Sequence, residues 1–288
     1  MNILLTNDDN IFAPGIAAMR QELEKLGNVF MVAPLVEQSG VGQSFSLHTP
    51  IVVEDVFIDG NRWGWGVHGT PADCVQIGVT KVCPVKPNLV ISGINPGHNC
   101  GPNIHHSGTL GAAFEGALFG IPAIAVSLRR PRESQEQPFA RAAQIARLLI
   151  TQILAQFPSM NAERDACGNP SPQVYNINIA GDALGQPLPK VIVAPMDTTF
   201  TATVSDEYVD PAKRRCHWIL PYSCQSEKSG GTDISELYQN HIVVTPLQLD
   251  RTNHARCQAM ADWGLSVQTA ETPCEDSGTD GIRITPQR

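Results

Sequence analysis

The chain has 288 residues, of which 42% are hydrophobic and 17% are charged, and its formal net charge is −8. This is the composition of a folded globular protein with one large domain, or with one domain and a substantial appendage, and it excludes a largely disordered chain. The acidic balance also argues against a protein that mainly binds duplex nucleic acid, because that affinity comes from Lys and Arg side chains that neutralise phosphates.

Strands and helices alternate from the first residues onward. Residues 3–5 form a short apolar run that stops at the polar Asn7, as a buried parallel strand does at the carboxyl edge of a sheet. Apolar residues at helical spacing in 16–26 predict a helix, and the strand 29–34 follows it. The same alternation continues with strands at 88–92, 122–127 and 174–179 and helices at 110–119 and 139–157. This order predicts an α/β fold with a doubly wound parallel sheet.

The remainder of the chain has a different character. Residues 158–171 are polar and rich in Asn, Pro and Gly, which predicts a surface insertion. A projecting β-hairpin region that would serve as a subunit contact is predicted from short strands at 191–194, 201–205 and 217–220. A buried strand at 242–245 and a helix at 255–263 follow. We therefore divide the chain into three parts. Residues 1–185 are a core that carries the site, residues 186–265 are an extension with the hairpin, the returning strand and the helix, and residues 266–288 are a polar tail.

Eight cysteines are scattered along the chain without a C-x-x-C pair, so they predict neither a zinc ribbon nor a thioredoxin-type motif. The N-terminal residues lack the basic and apolar regions of a signal peptide. No apolar stretch approaches the roughly 18 residues of a membrane span. We therefore expect a cytoplasmic protein with reduced thiols and no membrane partner.

Two adjacent carboxylates, Asp8 and Asp9, directly follow the first strand. Ligands of open α/β sheets bind beyond the carboxyl ends of the strands. Neighbouring anions repel each other unless a cation lies between them, so the pair favours a divalent metal ion. The run Asn7-Asp8-Asp9-Asn10 is also good turn chemistry, and on these residues alone both interpretations stay open.

A Gly- and Asn-rich segment, Ser92–Gly101, follows another predicted strand. Within it, Asn95 can offer a carbonyl oxygen to a metal ion or an amide group to a phosphate oxygen. Ser107-Gly108-Thr109 then leads into a helix, whose N-terminus presents free N–H groups and a positive dipole end that suit a phosphate. A Gly-rich loop with a Ser/Thr helix cap is the simpler alternative. It explains less easily why a carboxylate pair and a phosphate-type loop occur at the same edge of one sheet.

Other patterns are weaker. Ser39, after the second strand, would lie beside the aspartates, although most Ser-Gly pairs are simply turns. Gly64–Gly69 fits G-x-G-x-x-G, but no clear strand precedes it and no acidic residue is placed for a ribose, so we do not interpret it as a dinucleotide fingerprint. His98, His105 and His106 lack the helical spacing of zinc ligands. Neither a G-x-S-x-G elbow nor a Walker A sequence occurs.

In order along the chain, these segments resemble the survival protein E (SurE) family of stationary-phase 5′-nucleotidases. The matching segments are Leu4-Leu5-Thr6-Asn7-Asp8-Asp9, Ala13-Pro14-Gly15-Ile16, Val32-Ala33-Pro34, Gln38-Ser39-Gly40, Gly69–Val75, Ser92–Gly101, Ser107-Gly108-Thr109, Pro122–Ser127, Gly231-Thr232-Asp233, and Thr245-Pro246-Leu247 with Asp250 and His254. One departure is Asn10, where the family usually has Gly. Asn tolerates the left-handed conformation, so we expect the turn to survive. The polar segment 158–171 and the long tail are also atypical of the family.

The resemblance implies a Rossmann-like core whose C-terminal extension, a β-hairpin with a helix, is exchanged between subunits to give a homodimer or a homotetramer. It further implies one divalent metal ion, Mg²⁺ or Mn²⁺, with four ligands: Asp8, Asp9, Ser39 and Asn95. All four are oxygen donors, which suits a hard cation better than zinc.

The resemblance also assigns roles in substrate binding and catalysis. The phosphate would lie between the metal ion, Asn95 and Ser107-Gly108-Thr109. Asp8 or Asp9 would orient the attacking water or take its proton. Asp250 and His254 are candidates to support the site from the C-terminal segment, and a helix cap and a surface histidine are the alternative interpretation of these two residues.

The implied activity is the metal-dependent release of phosphate from nucleoside 5′-monophosphates, with 3′-monophosphates and short polyphosphate as further substrates. A non-catalytic nucleotide-binding protein on the same fold is the alternative. A nicotinamide-dependent dehydrogenase is poorly supported, because Asn7-Asp8-Asp9 stands where its glycine fingerprint should follow the first strand. The sequence leaves open the preferred base, the preference for 5′- or 3′-phosphates, the metal used, and the choice between dimer and tetramer.

Overall fold

The structure is a computed structural model of the chain, and it describes residues 1–130, 138–160, 174–199, 205–219 and 230–265. The chain divides into two compact units, Met1–Leu249 and Asp250–Arg288, and the structure describes the second unit only as far as residue 265. The strands of the first unit are β1 (Asn2–Thr6), β2 (Asn28–Pro34), β3 (Val53–Ile58), β4 (Asn61–Val67), β5 (Leu89–Asn95), β6 (Ala123–Arg129), β7 (Val174–Ala180), β8 (Val191–Val193), β9 (Ser205–Val209), β10 (Arg215–Ile219) and β11 (Ile242–Leu247).

In the described part of the chain, nine of these strands form one sheet in the order β3-β4-β2-β1-β5-β6-β7-β11-β8. The strands from β4 to β7 in this order are mutually parallel, which confirms the predicted doubly wound parallel core. Antiparallel strands flank it, since β3 pairs with β4 and β11 pairs with β7 in opposite directions. β8 pairs with β11 in parallel.

Helices cover both faces of the sheet because successive side chains of a strand point to opposite faces. Ile3 and Leu5 of β1 belong to one hydrophobic cluster, which contains apolar residues of α1 (Pro14–Leu23) and α4 (Pro138–Met160). Leu4, between them, belongs to a second cluster, which contains residues of α2 (Pro71–Ile77) and α3 (Gly108–Leu118). None of the helices in the described residues is long and apolar enough to cross a lipid bilayer.

The Gly-rich run at 64–69 lies largely inside β4 and does not form the strand-to-helix loop of a dinucleotide site. A Cβ atom added at Gly64 would lie 2.5 Å from the carbonyl oxygen of Met31, on the neighbouring strand. A Cβ at Gly66 would lie 2.4 Å from a side-chain carbon of Leu35. These glycines therefore serve close packing within the sheet, in a strand that the sequence pattern does not predict.

The region after β7 differs from its prediction in one respect. β8 matches the strand predicted at 191–194 but joins the main sheet beside β11, so it does not belong to the hairpin region. The reason is its apolar sequence, since Ile192 packs against the sheet's core. β9 and β10 do form an antiparallel hairpin, slightly displaced from the predicted strands. Parts of three predicted segments lie outside the described residues. They are residues 201–204 and 220 of the predicted hairpin strands, residues 161–171 of the predicted insertion, and the tail 266–288.

Two short helices near the C-terminus complete the described chain. α5 (Asp233–Tyr238) belongs to the first unit and was not predicted. α6 (His254–Ala261) belongs to the second unit and matches the helix predicted at 255–263. The division of the chain at 185 and 265 stays a prediction.

Candidate active site

Asp8 and Asp9 lie at the carboxyl end of β1, where the predicted loops converge. The register pairs Thr6 of β1 with Ser92 of β5, so the two strands end side by side. The backbone N–H of Gln38, in the loop after β2, donates to the carbonyl oxygen of Asp8 at 2.7 Å. Ser39 is the residue after Gln38, so this hydrogen bond holds the Ser39 backbone close to Asp8.

The Asp8 carboxylate is held by the N-terminus of α3. The backbone N–H of Thr109 donates to Asp8 Oδ2 at 3.1 Å, and the Thr109 hydroxyl donates to Asp8 Oδ1 at 2.7 Å. The absence of a side chain at Gly108 permits this contact, because an added Cβ would lie 2.9 Å from the Cβ of Asp8. A carboxylate at a helix N-terminus is also favoured by the positive end of the helix dipole.

Asp9 has a different environment. Its Oδ2 atom is buried and has no hydrogen-bond partner among the residues that the structure describes. Burial, together with the charges of Asp8 and Glu37, raises the pKa of Asp9 to about 7. Burial also raises the pKa of Asp8, against the hydrogen bonds from Thr109. Negative charge is therefore concentrated here, and the site favours a cation.

The residues present fit a hard divalent metal ion. Asn7 Oδ1 is, like Asp9 Oδ2, a buried oxygen without a hydrogen-bond partner in the described chain. The Asn95 amide nitrogen donates to the carbonyl oxygen of Gly97 at 3.0 Å, which leaves the side-chain oxygen of Asn95 as its potential ligand atom. Among the described residues, no group of three or more His, Cys, Asp or Glu could hold a metal ion. A metal would therefore depend on the aspartates and neutral oxygen donors, a set that suits Mg²⁺ or Mn²⁺.

Glu37 is the residue that sequence reasoning missed. Its Oε1 atom accepts a hydrogen bond from the Ser39 hydroxyl at 2.6 Å, and both side chains are exposed. The charge of Glu37 raises the pKa of both Asp8 and Asp9. Its position three residues after the end of β2, at the same sheet edge as the aspartates, was the signal that could have identified it.

The predicted phosphate loop divides into two parts. Ser107 caps α3, its hydroxyl oxygen accepting from the backbone N–H of Leu110 at 3.1 Å. Ser107 and Gly108 therefore stand at the positive end of the helix, and a phosphate site at this position stays a prediction. Both donors of Thr109, by contrast, are directed at Asp8. In this structure Thr109 positions the carboxylate.

A buried polar network behind Thr109 was also missed. The Asn99 amide donates to the Ser127 hydroxyl at 2.9 Å and to the Thr109 hydroxyl at 3.4 Å. The Asn99 backbone N–H donates to Asn178 Oδ1 at 2.8 Å, and Asn176 donates to the Asn99 carbonyl oxygen at 2.7 Å. Because β6 and β7 carry Ser127, Asn176 and Asn178, the network ties Asn99 and Thr109 to the sheet.

The turn after Asp9 forms as predicted despite the lack of glycine. Asn10 has a positive φ of 103°. Its carbonyl oxygen accepts from the Asn7 side chain at 2.8 Å, and its side-chain oxygen accepts from the backbone N–H of Phe12 at 2.9 Å. Asn10 therefore supports a conformation that most residues avoid.

A cavity of about 720 Å³ opens beside Asp9. Its lining includes Asp9 and Glu37, the residues on either side of Asn95, and the first residues of α1 and α4. The close approach of α1 to β5 closes one side of it, since a Cβ at Gly15 would lie 2.0 Å from the carbonyl oxygen of Ile94.

Asp250 and His254 lie in the second unit, where they bind each other. His254 Nε2 and Asp250 Oδ2 are 2.6 Å apart, and both side chains are exposed. Hydrogen bonds from Thr252, and then the contact with His254, lower the pKa of Asp250 to about 2. Their role in supporting the site stays a prediction.

Comparisons with known proteins agree with the fold. Residues 3–202 match the family model described as survival protein SurE. The protein named 5′-nucleotidase SurE of Rhodopirellula baltica is 38% identical over 266 residues, which cover 92% of this chain and 99% of that protein. The protein of the same name from Pelobacter propionicus is 37% identical over 264 residues, or 91% and 99% of the two chains. The crystal structure of the SurE protein from Aquifex aeolicus superposes with a TM-score of 0.73 at 31% identity and covers 91% of this chain and 99% of that one. This chain belongs to the SurE family.

Proposed function

We propose that this protein is a phosphatase that releases phosphate from nucleoside 5′-monophosphates and that depends on one divalent metal ion. The observation that carries the proposal is the Asp8–Asp9 pair at the carboxyl end of β1, with Asp8 buried against the N-terminus of α3 and Asp9 partly buried beside it. The family relatives named 5′-nucleotidase SurE support the substrate class.

The ion would be held by Asp8, Asp9, Ser39 and Asn95. When bound, it would polarise a phosphoryl oxygen and offset the charge that develops during hydrolysis. Mg²⁺ and Mn²⁺ are the candidates, because every proposed ligand is an oxygen atom.

The two aspartates would have different tasks. Thr109 occupies both carboxylate oxygens of Asp8, so Asp8 is fixed in position and serves mainly as a ligand. Asp9 keeps one oxygen without a hydrogen-bond partner in the described chain, which makes it the better candidate to orient the attacking water or to take its proton.

The phosphate would lie over the N-terminus of α3. Ser107 and Gly108 stand at its first turn, where backbone N–H groups and the helix dipole favour an anion. Asn95 would complete the contact from β5. We extend the proposed activity to nucleoside 3′-monophosphates and short polyphosphate, because each presents the same terminal phosphate group.

We also propose that the extension from residue 186 onward joins copies of this chain into a homodimer or a homotetramer. The β9–β10 hairpin supports this, since its residues Tyr208 and Val209 are apolar and exposed. A cytoplasmic location is proposed as well, and the free thiols of Cys74, Cys83 and Cys216 are compatible with it.

The test is a substrate panel assayed for phosphate release. It contains 5′-AMP, 3′-AMP, tripolyphosphate and p-nitrophenyl phosphate, each with Mg²⁺, with Mn²⁺ and with EDTA. Release from 5′-AMP that requires the metal ion supports the proposal. Binding of 5′-AMP by a well-folded protein without release from any substrate would instead favour the non-catalytic nucleotide-binding alternative.

A further inference from the structure

The cavity beside Asp9 has walls of two kinds. Its acidic lining residues are Asp9 and Glu37. The remaining lining is mostly apolar and includes Phe12, Ile94, Leu128 and Phe139, with Arg130 as its one cationic side chain among the described residues. Its volume of about 720 Å³ lies within the roughly 300–1,000 Å³ that is typical of small-molecule sites.

Phe12 is the unusual residue of this wall. Its side chain is 58% exposed, although its neighbours Ile11 and Ala13 are buried. Its backbone is held by the Asn10 side chain, in the turn that follows directly from the Asp pair. A large aromatic ring is therefore kept at the cavity, three residues from Asp9, without being used in the core.

This arrangement suits the organic part of a phosphate ester. A phosphate held at the Asp pair and the start of α3 would direct the group it esterifies into the adjoining cavity. An aromatic ring at the apolar wall offers a stacking surface for a planar base, and such stacking tolerates any base because each presents a π-face.

Resting on the proposed function, we propose that this cavity binds the nucleoside part of the substrate and that the Phe12 ring stacks on the base. Phe12 is thus a specificity-determining residue, which favours nucleotides over phosphate esters that lack a base. It contributes to binding and not to the chemical step.

The test compares 5′-AMP with ribose 5-phosphate, which carries the same phosphate and sugar without the base. Steady-state kinetics with Mn²⁺ are measured for the wild-type protein and for Phe12→Ala. The matched control is Phe57→Ala. Phe57 of β3 is 57% exposed, nearly as much as Phe12, but it does not line the cavity.

We expect Phe12→Ala to raise the KM for 5′-AMP about tenfold, which corresponds to about 1.4 kcal/mol and lies within the range for base–aromatic stacking. Its kcat and its KM for ribose 5-phosphate stay within about twofold, because stacking is absent from the sugar phosphate and from the chemical step. Phe12→Trp keeps the low KM for 5′-AMP. Phe57→Ala leaves kcat and KM unchanged for both substrates. An unchanged KM for 5′-AMP in Phe12→Ala, or equal losses with both substrates, would overturn the inference while leaving the proposed phosphatase intact.

Adenosine binding provides a readout that does not depend on catalysis. Titration of the wild-type protein with adenosine, followed by NMR, should show binding that Phe12→Ala weakens about tenfold. If the wild-type protein releases no phosphate from either ester, the proposed function fails, and the adenosine titration still decides the inference. No adenosine binding, or equal binding by the two proteins, contradicts it.

Discussion

Replacing Asp9 by Asn should stabilise the metal-free protein at neutral and alkaline pH. The metal-free wild-type protein must keep the buried Asp8 and the partly buried Asp9 close to Glu37, and burial together with these charges raises the pKa of Asp9 from 3.8 to about 7. Between these two values the folded state binds a proton that the unfolded chain has released. Stability that is present at pH 4 is therefore lost as the pH rises through 7. Asn has nearly the same shape as Asp and does not ionise, so Asp9→Asn avoids this loss.

The size of the effect follows from the shift. A rise of the Asp9 pKa from 3.8 to about 7 corresponds to roughly 4 kcal/mol if it is fully realised. Asp9 is partly exposed, so solvent screening reduces this to about 2 kcal/mol. In a domain of this size that corresponds to roughly 4 °C in Tm.

The assay is thermal unfolding of the metal-stripped proteins at several pH values between 4 and 8. The wild type and Asp9→Asn should unfold at similar temperatures near pH 4 and diverge towards pH 8, where the variant unfolds about 4 °C higher. Asp206→Asn, at an exposed carboxyl on β9, is the control and should follow the wild type.

Adding Mn²⁺ at pH 8 should then reverse the order. A ligand at about 100 times its Kd stabilises the folded state by about 2.7 kcal/mol. Asp9→Asn gains less, because it lacks one proposed ligand. A metal-free variant that is no more stable than the wild type at pH 8 would refute the destabilising role of the Asp9 charge. Equal stabilisation of both proteins by Mn²⁺ would refute the role of Asp9 as a ligand.

Two further substitutions test how Asp8 is held. Thr109→Val keeps the shape of the side chain but removes its hydroxyl donor to Asp8, so we expect a loss of about 1.5–3 kcal/mol in urea denaturation and weaker Mn²⁺ binding. Thr109→Ser should restore both, and equal stability of the Val variant and the wild type would contradict this role. Gly108→Ala should lower kcat/KM at least about tenfold, because its Cβ would meet the Cβ of Asp8 at 2.9 Å and displace the carboxylate. Gly185→Ala, where an added Cβ meets no atom within 4 Å, should leave the rate unchanged, and an active Gly108→Ala enzyme would count against the geometry.

The parallel core could be predicted from the sequence because its strands are continuous apolar runs separated by helical patterns. Residues 61–67 gave no such pattern, since Trp63 and Trp65 alternate there with glycines, and β4 was missed. The helix after it did have a usable signal. Thr70 and Asp73 form a capping box, and Pro71 stands in the first turn, which together mark a helix start. The signal was present, but α2 is so short that helical periodicity does not support it.

The candidate site could be located from the sequence but not resolved into roles. The Asp pair was identifiable because it directly follows a strand, and the start of α3 was identifiable because Ser107-Gly108-Thr109 begins a helix. That Thr109 serves Asp8, 101 residues away, depends on tertiary packing that no local pattern encodes. The same is true of Asn178, a polar residue in a buried strand whose partner Asn99 lies 79 positions earlier.

The most direct test of the central claim is phosphate release from 5′-AMP by metal-stripped protein titrated with Mn²⁺. The metal site proposed at the end of β1 predicts no release without metal and a rate that saturates near one equivalent per chain. Asp8→Asn, which retains the shape of the side chain but lacks its charge, should show no release at the same Mn²⁺ concentrations. Full activity in the metal-stripped wild type, or a wild-type rate in Asp8→Asn, would contradict a metal-dependent phosphatase built on this aspartate pair.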